Sequence, residues 1–271
     1  ARGKLTGEEL IFAVCRGGWP SSLEAAGDDA KLFVATDYFN NVVEVDISRI
    51  DGFERDSILA AQLLKSYARN ISTLATKASI RKDVLSVREV SMPTVDSYLS
   101  ALRKLFVIND IDAWCPAIRS ATDIRASCKR GFFDPSIAVA AMGVGPEYFR
   151  TDFKTFGFLF ESLVMRDLRV YSHAMGGRIS YYRDRYGLEA DAVLHLKDGR
   201  YALIEIKLGS SEIEKGAEHL KEVRRLIGKY NKTEKQCPLR MPDLLMVITG
   251  GDYAYTREDG VIVCPISALK D

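Results

Sequence analysis

The chain has 271 residues, and at about 100–200 residues per domain this length favours two domains. Hydrophobic residues make up 47% and charged residues 28%, which excludes a disordered, collagen-like or coiled-coil protein. The 38 Lys and Arg residues nearly balance the 37 Asp and Glu residues, so any nucleic-acid binding must be local rather than a property of the whole surface.

Cysteine spacing and the lengths of the apolar runs indicate the compartment. The five cysteines are an odd number, are widely spaced and contain no C-x-x-C pair. The longest apolar run, 137–144, is far shorter than the roughly 18 residues of a spanning helix, and no signal-peptide pattern opens the chain. We therefore expect a cytoplasmic protein with no membrane segment. The opening segment after Ala1 is interpreted as part of a longer protein.

Helical periodicity dominates the first half of the chain. The spacing predicts a helix over 55–68 that ends near Asn70, and a shorter helix over 71–78. A third helix is predicted to begin at Ser91, which can cap it. A β-rich run follows over 106–114. Three helices followed by a strand are typical of a winged helix-turn-helix.

The second half alternates between long helices and short strands. Helices are predicted over 153–171 and 211–230, and strands over 178–183, 189–196, 200–208, 244–249 and 261–264. The Asp198-Gly199 pair predicts a hairpin, so the strands that hold Asp191 and Glu205 are expected to be adjacent and antiparallel. This order predicts a mixed sheet with helices packed on its faces.

An acid and a base share one face of the third predicted strand. Side chains alternate between the two faces of a strand, so Glu205 and Lys207 project together. Burial of this pair would cost several kcal/mol unless partners compensate it. Asp191 lies on the hairpin partner strand, and Glu161 lies on the long helix among apolar neighbours. These four residues are the candidate catalytic residues.

Carboxylates from two strands and a helix, together with one lysine, match the needs of a Mg²⁺-dependent phosphodiesterase. Asp191 and Glu205 would be metal ligands, Lys207 would position or help activate a water, and Glu161 would be a further ligand or orienting group. A structural interpretation remains open beside this one. In it, Glu205 and Lys207 form an ion pair on an edge strand, Asp191 is a turn residue, and Glu161 is satisfied by backbone or by Arg183.

The third helix and the segment after it offer candidate nucleic-acid contacts. Polar and basic side chains that can reach phosphates or bases are Thr94, Ser97, Arg103, Lys104, Arg125, Lys129 and Arg130. Asp96 on the same helix opposes phosphate binding. The exposed face of this helix could instead be a solvated surface or a docking surface for another module.

Several short motifs occur in a characteristic order. They are Gly17-Gly18-Trp19-Pro20, the segment 38–46, the helix 91–106 with Val107-Ile108, the segment 129–134, Gly157-Phe158-Leu159-Phe160-Glu161, Tyr181-Tyr182-Arg183, Glu189-Ala190-Asp191 and Ile204-Glu205-Ile206-Lys207. In this combination the chain resembles the PD-(D/E)XK nuclease superfamily. More narrowly, it resembles the domain of unknown function that follows the AAA-type ATPase module in many bacterial and archaeal proteins.

The resemblance implies an α+β protein with three parts. These are a connector from a missing ATPase module over 1–52, a helical winged helix-turn-helix region over 53–134, and a mixed-sheet PD-(D/E)XK nuclease-like α/β domain over 135–271. It implies a Mg²⁺-dependent DNA nuclease that forms the C-terminal part of an AAA-type ATPase. The alternative is a catalytically silent module that binds DNA or a protein partner for the ATPase.

Two departures from related proteins stand out. No G-x-x-x-x-G-K-[ST] motif occurs, so the chain is not expected to bind ATP through a P-loop. Several related nuclease groups carry a Gln and a Tyr that contact substrate on the helix after the lysine. This chain has Glu218, Lys221 and Tyr230 in that region.

Overall fold

The computed structural model describes residues 3, 5–87, 89–117, 126–234 and 236–269. Helices form the first part of the chain, and a six-stranded mixed sheet follows in the second part. The overall α+β class predicted from the sequence is therefore confirmed.

The chain divides into two compact units. We call Ile11–Asp110 with Ser127–Leu163 the helical unit, and Ala1–Leu10 with Ile111–Ala126 and Val164–Asp271 the sheet unit. Both units are discontinuous in sequence. The domain boundaries predicted at residues 52 and 134 remain predictions.

Helices are numbered in chain order over the described residues. They are α1 Gly7–Arg16, α2 Pro20–Glu24, α3 Asp28–Asn41, α4 Ile47–Arg49, α5 Ser57–Arg69, α6 Lys77–Leu85, α7 Met92–Lys104, α8 Pro135–Met142, α9 Pro146–Phe149, α10 Phe153–His173 and α11 Ile213–Thr233. The described residues contain no helix with an apolar stretch long enough to cross a membrane.

Side-chain caps fix the starts of the helices that the sequence predicted best. Asp56 accepts a hydrogen bond from the Leu59 amide at 2.9 Å at the start of α5. Ser91 accepts one from the Thr94 amide at 3.2 Å at the start of α7. These contacts satisfy backbone donors that a helix leaves unpaired in its first turn. The predicted helix starting at Ser91 is confirmed.

Two predicted elements in the helical region are wrong. The second helix does not begin near residue 71, because Ser72 has a left-handed backbone with φ of 57° and Thr76 caps the helix that follows. The predicted strand over 106–114 is absent, since Phe106 also has a positive φ of 56°. Only isolated bridges occur there, from Ile108 to Phe132 and from Ala113 to Tyr181.

The strands follow the predicted order closely. They are β1 Arg178–Arg183, β2 Glu189–His195, β3 Tyr201–Lys207, β4 Leu244–Thr249, β5 Tyr255–Thr256 and β6 Ile262–Pro265. Their spatial order is β1-β2-β3-β4-β6-β5. The β3–β4 and β4–β6 pairs are parallel, whereas the β1–β2, β2–β3 and β5–β6 pairs are antiparallel.

The hairpin between β2 and β3 is built as predicted. Gly199 has a φ of 86°, and the Arg200 amide donates to the Asp198 carboxylate at 3.0 Å. This left-handed position favours glycine because a side chain there would be strained. Strands β2 and β3 pair antiparallel with Ala192 opposite Ile204, which confirms the predicted adjacency.

Helix α11 covers one face of the sheet. Its apolar side chains pack with those that β2, β3 and β4 direct toward the same face, and the buried cluster includes Leu203, Leu220 and Val247. Because residues two apart share a face, Glu205 and Lys207 project from β3 on the side of Leu203. The candidate site therefore lies on the face that α11 covers.

Candidate functional site

Two neighbouring strands bring the candidate acids together. Ala192 pairs with Ile204 and Val193 with Leu203, and continuing this antiparallel register places Asp191 opposite Glu205. Strand β3 lies between β2 and β4 rather than at an edge of the sheet. The structural interpretation with an edge strand and a turn at Asp191 is therefore wrong in both placements.

Lys207 lies between the two carboxylates. Its Nζ atom is 2.5 Å from Glu205 Oε2 and 3.1 Å from Asp191 Oδ2. The Ile206 amide also donates to Asp191 Oδ2 at 2.8 Å. This backbone contact holds the Asp191 carboxylate against the end of β3. We call Asp191, Glu205 and Lys207 the sheet triad.

The sheet triad is largely buried, and the pKa values of Glu205 and Lys207 are shifted in this environment. The side chains of Asp191, Glu205 and Lys207 are 12%, 2% and 18% exposed. Burial, together with the charge of Asp191, raises the pKa of Glu205. Burial by itself would lower the pKa of Lys207, but the charges of Asp191 and Glu205 outweigh it and raise that pKa. Lys207 is therefore held as an ammonium ion.

Helix α11 contributes two residues that the sequence did not single out. His219 Nδ1 lies 3.4 Å from Glu205 Oε1, and the His219 side chain is 37% exposed. At Gly216, a Cβ atom would lie 3.3 Å from Glu205 Cβ and 3.5 Å from Lys207 Cε. Glycine thus allows α11 to approach the triad closely. An unexplained glycine inside a strongly helical segment was the available signal.

Glu161 belongs to the helical unit, whereas the sheet triad belongs to the other unit. Its carboxylate is 2.9 Å from Lys129 Nζ, and the two side chains are 14% and 4% exposed. The alternative partner Arg183 instead pairs with Glu189 at 2.8 Å. A catalytic or metal-binding role of Glu161 stays a prediction.

Helix α7 holds four of the candidate nucleic-acid contacts. Ser97 and Lys104 are exposed, and Thr94 is half-buried near the start of the helix. Arg103 is partly engaged, since it donates to Asp110 at 2.8 Å. Asp96, which opposed phosphate binding in the sequence, is paired with Lys77 at 2.6 Å.

Lys129 and Arg130, two of the nucleic-acid contacts predicted after the third helix, do not form an exposed surface. Both residues are buried. Arg130 donates to Asp110 at 2.8 Å and to the carbonyl of Ala75 at 2.7 Å. Charged residues at such depth are held by their partners and are not available to phosphates. Arg125 lies outside the described residues.

The two carboxylates of the sheet triad have the oxygen donors that a hard divalent cation prefers. The described residues contain no group of three or more His, Cys, Asp and Glu side chains arranged to hold a metal ion. Mg²⁺ does not require such a group, because it commonly keeps several waters and uses one or two carboxylates. Asp191 and Glu205 supply two carboxylates from adjacent strands, so they could hold Mg²⁺.

These features define a two-part α+β protein whose mixed sheet carries a buried Asp-Glu-Lys triad. Residues 7–148, more than half of the chain, match a domain of unknown function, DUF8612, and the chain belongs to that family. Residues 156–269 match a second domain of unknown function, DUF4143, which typically lies next to an AAA ATPase module. Searches of curated proteins and of solved structures found no match.

Proposed function

We propose that the sheet unit is a PD-(D/E)XK nuclease-like domain and that it hydrolyses phosphodiester bonds in DNA with Mg²⁺. The observation that carries the proposal is the convergence of Asp191, Glu205 and Lys207 on adjacent strands, with Lys207 Nζ within 3.1 Å of both carboxylates. The match to DUF4143 supports the further proposal that the chain works as the C-terminal part of an AAA-type ATPase.

Each residue of the sheet triad has a separate role in this proposal. Asp191 and Glu205 would hold Mg²⁺, which when bound offsets phosphate charge and lowers the pKa of a water ligand. Lys207 keeps its proton, so it places a positive charge where the phosphate gains negative charge during hydrolysis. The Ile206 amide keeps the Asp191 carboxylate oriented.

The helices α5, α6 and α7 are proposed to form a helix-turn-helix that contacts DNA, with isolated bridges in place of the strand expected of a winged motif. Tight side-chain caps at Asp56, Thr76 and Ser91 define the three helices in order. On α7, Ser97 and Lys104 are exposed and can reach phosphates. In this proposal α7 is the recognition helix.

A cleavage assay tests the catalytic proposal. Labelled single- and double-stranded DNA and RNA would be incubated with the purified chain in Mg²⁺ and in EDTA. We expect metal-dependent cleavage of DNA, and Lys207→Ala should slow it by a factor on the order of 10²–10³ because one preorganised charge is lost. Asp191→Asn should also abolish the metal-dependent rate.

An ion-paired lysine outside the sheet unit provides the control. Lys31 on α3 forms an ion pair with Asp28 at 3.7 Å. Lys31→Ala should therefore retain the cleavage rate of the unaltered chain. Equal losses in both lysine variants, or cleavage that persists in EDTA, would contradict the proposal.

A specific observation also favours a second candidate, a catalytically silent module that binds DNA or a protein partner of the ATPase. The Glu205 side chain is only 2% exposed, and α11 lies against it at Gly216. In that case the triad is a buried structural ion-pair network. DNA binding by the unaltered chain without cleavage in either Mg²⁺ or Mn²⁺ would select this candidate.

A further inference from the structure

Phe106 has a backbone conformation that its side chain disfavours. It follows α7 with a φ of 56°, in the left-handed region that glycine usually occupies at this place. The Phe106 amide donates to the Arg103 carbonyl at 3.1 Å, and the Val107 amide donates to the Leu102 carbonyl at 3.0 Å. This is the Schellman pattern, which closes the helix equally well with glycine. A phenylalanine here therefore carries a conformational cost without serving the helix end.

The Phe106 ring does not recover this cost by burial. Its side chain is 67% exposed, and its aromatic neighbour Phe133 is 37% exposed. The two ring centroids are 5.3 Å apart with an interplanar angle of 81°. An exposed aromatic pair gains little from the hydrophobic effect within the folded chain. Neither helix capping nor core packing explains the residue type.

Backbone hydrogen bonds join the two segments that carry the Phe106 and Phe133 rings. The Phe133 amide donates to the Val107 carbonyl at 3.1 Å, and the Asn109 amide donates to the Gly131 carbonyl at 2.8 Å. Val107 and Phe132, which alternate with the exposed rings, are buried. A surface whose backbone is fixed in advance loses little entropy when a ligand binds.

A polar row on α7 leads toward the ring pair. Thr94, Ser97, Ser100 and Lys104 follow one another at intervals of three or four residues, so they share a helix face. Lys104 forms no ion pair with a described residue. The nearby acids are already paired, Asp96 with Lys77 and Asp51 with Arg55, each at 2.6 Å. Hydroxyl groups, and an ammonium that forms no ion pair within the described part of the chain, are suited to phosphates.

We propose that Phe106, with Phe133 behind it, is a stacking platform for an unpaired base of a single-stranded nucleic acid whose phosphates follow the α7 row to Lys104. The choice of nucleic acid rests on the proposed function. Aromatic rings beside a cationic track are the usual means of binding single strands without reading their sequence, because every base has a flat face. An apolar pocket of a partner protein is the competing occupant.

Fluorescence anisotropy in EDTA tests the platform independently of cleavage. The probes are labelled 20-nucleotide dT and rU strands and a DNA duplex of the same length. Phe106→Gly should weaken binding of at least one single strand by about 5- to 100-fold, as expected for loss of one stacked base. Duplex binding should change little. The strand that binds more tightly identifies DNA or RNA as the source of the base.

The melting temperature of the same variant is a second measurement. We expect it to rise, whereas the affinity for single strands should fall. Phe106→Gly should raise the Tm by about 2–4 °C, because glycine relieves the left-handed strain. Phe106→Leu keeps the strain but lacks the ring, so it should weaken binding without raising the Tm. Phe106→Trp should retain binding. Phe33→Leu, which alters another exposed phenylalanine on α3, should change neither quantity.

Several results would overturn the platform. They are single strands that do not bind the unaltered chain, equal losses on single strands and duplex, full binding by Phe106→Leu, and a lower Tm in Phe106→Gly. None of these depends on hydrolysis. A chain that binds single strands through Phe106 but cleaves nothing would keep this inference and reject the nuclease proposal.

Discussion

Burial and the neighbouring charge of Asp191 together oppose ionisation of Glu205. The Lys207 ammonium lies within ion-pair distance of both carboxylates. A buried cation between two acids acts mainly by preventing an uncompensated charge. The same three side chains therefore control stability and, in the proposed function, hydrolysis.

Removal of the Lys207 ammonium should destabilise the fold strongly. Lys207→Ala leaves two buried carboxylates without their cation, and we expect a loss of roughly 3–5 kcal/mol in the free energy of unfolding at pH 8. Lys221→Ala breaks an ion pair that is more exposed and should cost only about 0–1 kcal/mol. Urea unfolding of both variants measures the difference. Similar midpoints for the two variants would refute the structural importance of the triad.

The titration of Glu205 should make stability depend on pH. In the folded chain its pKa rises from the ordinary value of 4.5 to about 8. A raised acid pKa means that the folded state holds the proton more tightly, so its contribution to stability is complete below pH 4.5 and is lost as pH rises toward 8. Each unit of this pKa difference corresponds to about 1.4 kcal/mol.

Glu205→Gln cannot lose this proton and should not share that decline. The unfolding free energy of the unaltered chain should fall relative to that of Glu205→Gln between pH 5 and pH 8, when both are measured by urea unfolding in EDTA. Lys207 titrates above this range because its pKa is raised. Parallel pH profiles for the two proteins would show that Glu205 ionises normally.

At the scale of elements, the approach of α11 to β3 determines how much room the triad has. Gly216 and Gly228 lie on the same helix but have different surroundings. A Cβ at Gly216 would meet Glu205 Cβ at 3.3 Å, an atom fixed to a strand, whereas at Gly228 it would meet the flexible end of Met241 at 3.8 Å. The two glycines therefore form a matched pair for substitution.

Alanine should have different effects at the two positions. Gly228→Ala should stabilise the chain by up to about 1 kcal/mol, because alanine favours the helix. Gly216→Ala should lose this gain and be less stable than Gly228→Ala by about 1 kcal/mol or more, because a tight core position resists added volume. Thermal unfolding of the two variants decides the point. Equal stabilisation would mean that α11 can move away from β3 freely.

The strands and their shared faces could be predicted because their determinants are local. The Asp198-Gly199 turn sets the hairpin, and alternation then places Glu205 with Lys207 and opposite Asp191. The closeness of Gly216 and His219 could not be predicted, because it depends on how α11 packs over the sheet. Likewise, no local pattern predicts that Lys129 is buried against Glu161, which is 32 residues away in the sequence.

Two elements predicted from local sequence preference do not form over the predicted ranges, because the contacts in the folded chain favour another backbone conformation. The apolar run after α7 looked like a strand, but its first residue, Phe106, has a left-handed backbone and a helix-ending role. The helix predicted from residue 71 was displaced because Ser72 donates through its hydroxyl to the Phe158 carbonyl at 3.0 Å. The Ser72 contact joins residues that are 86 positions apart, whereas the end of α7 is closed by hydrogen bonds between near neighbours in the chain.

At the scale of the whole molecule, cation binding should couple to folding. Mg²⁺ that binds the folded chain and not the unfolded chain stabilises it, by about 2.7 kcal/mol at 100 times its dissociation constant. The Tm should rise between EDTA and 10 mM Mg²⁺, by about 2–4 °C for each kcal/mol. Asp191→Asn should remove the rise. An equal rise in Asp191→Asn would assign the effect to another part of the chain.

The first ten residues of the chain belong to the sheet unit, and this has a consequence for the order of synthesis. The Gly3 amide donates to the Asp252 carbonyl at 2.5 Å, and Leu10 packs against Gly250. At about 5–20 residues per second, a ribosome needs roughly 12–50 s to pass from the first of these positions to the last. Gly3 and Leu10 must therefore wait in the nascent chain, and a chain truncated before Gly250 leaves both without these native neighbours.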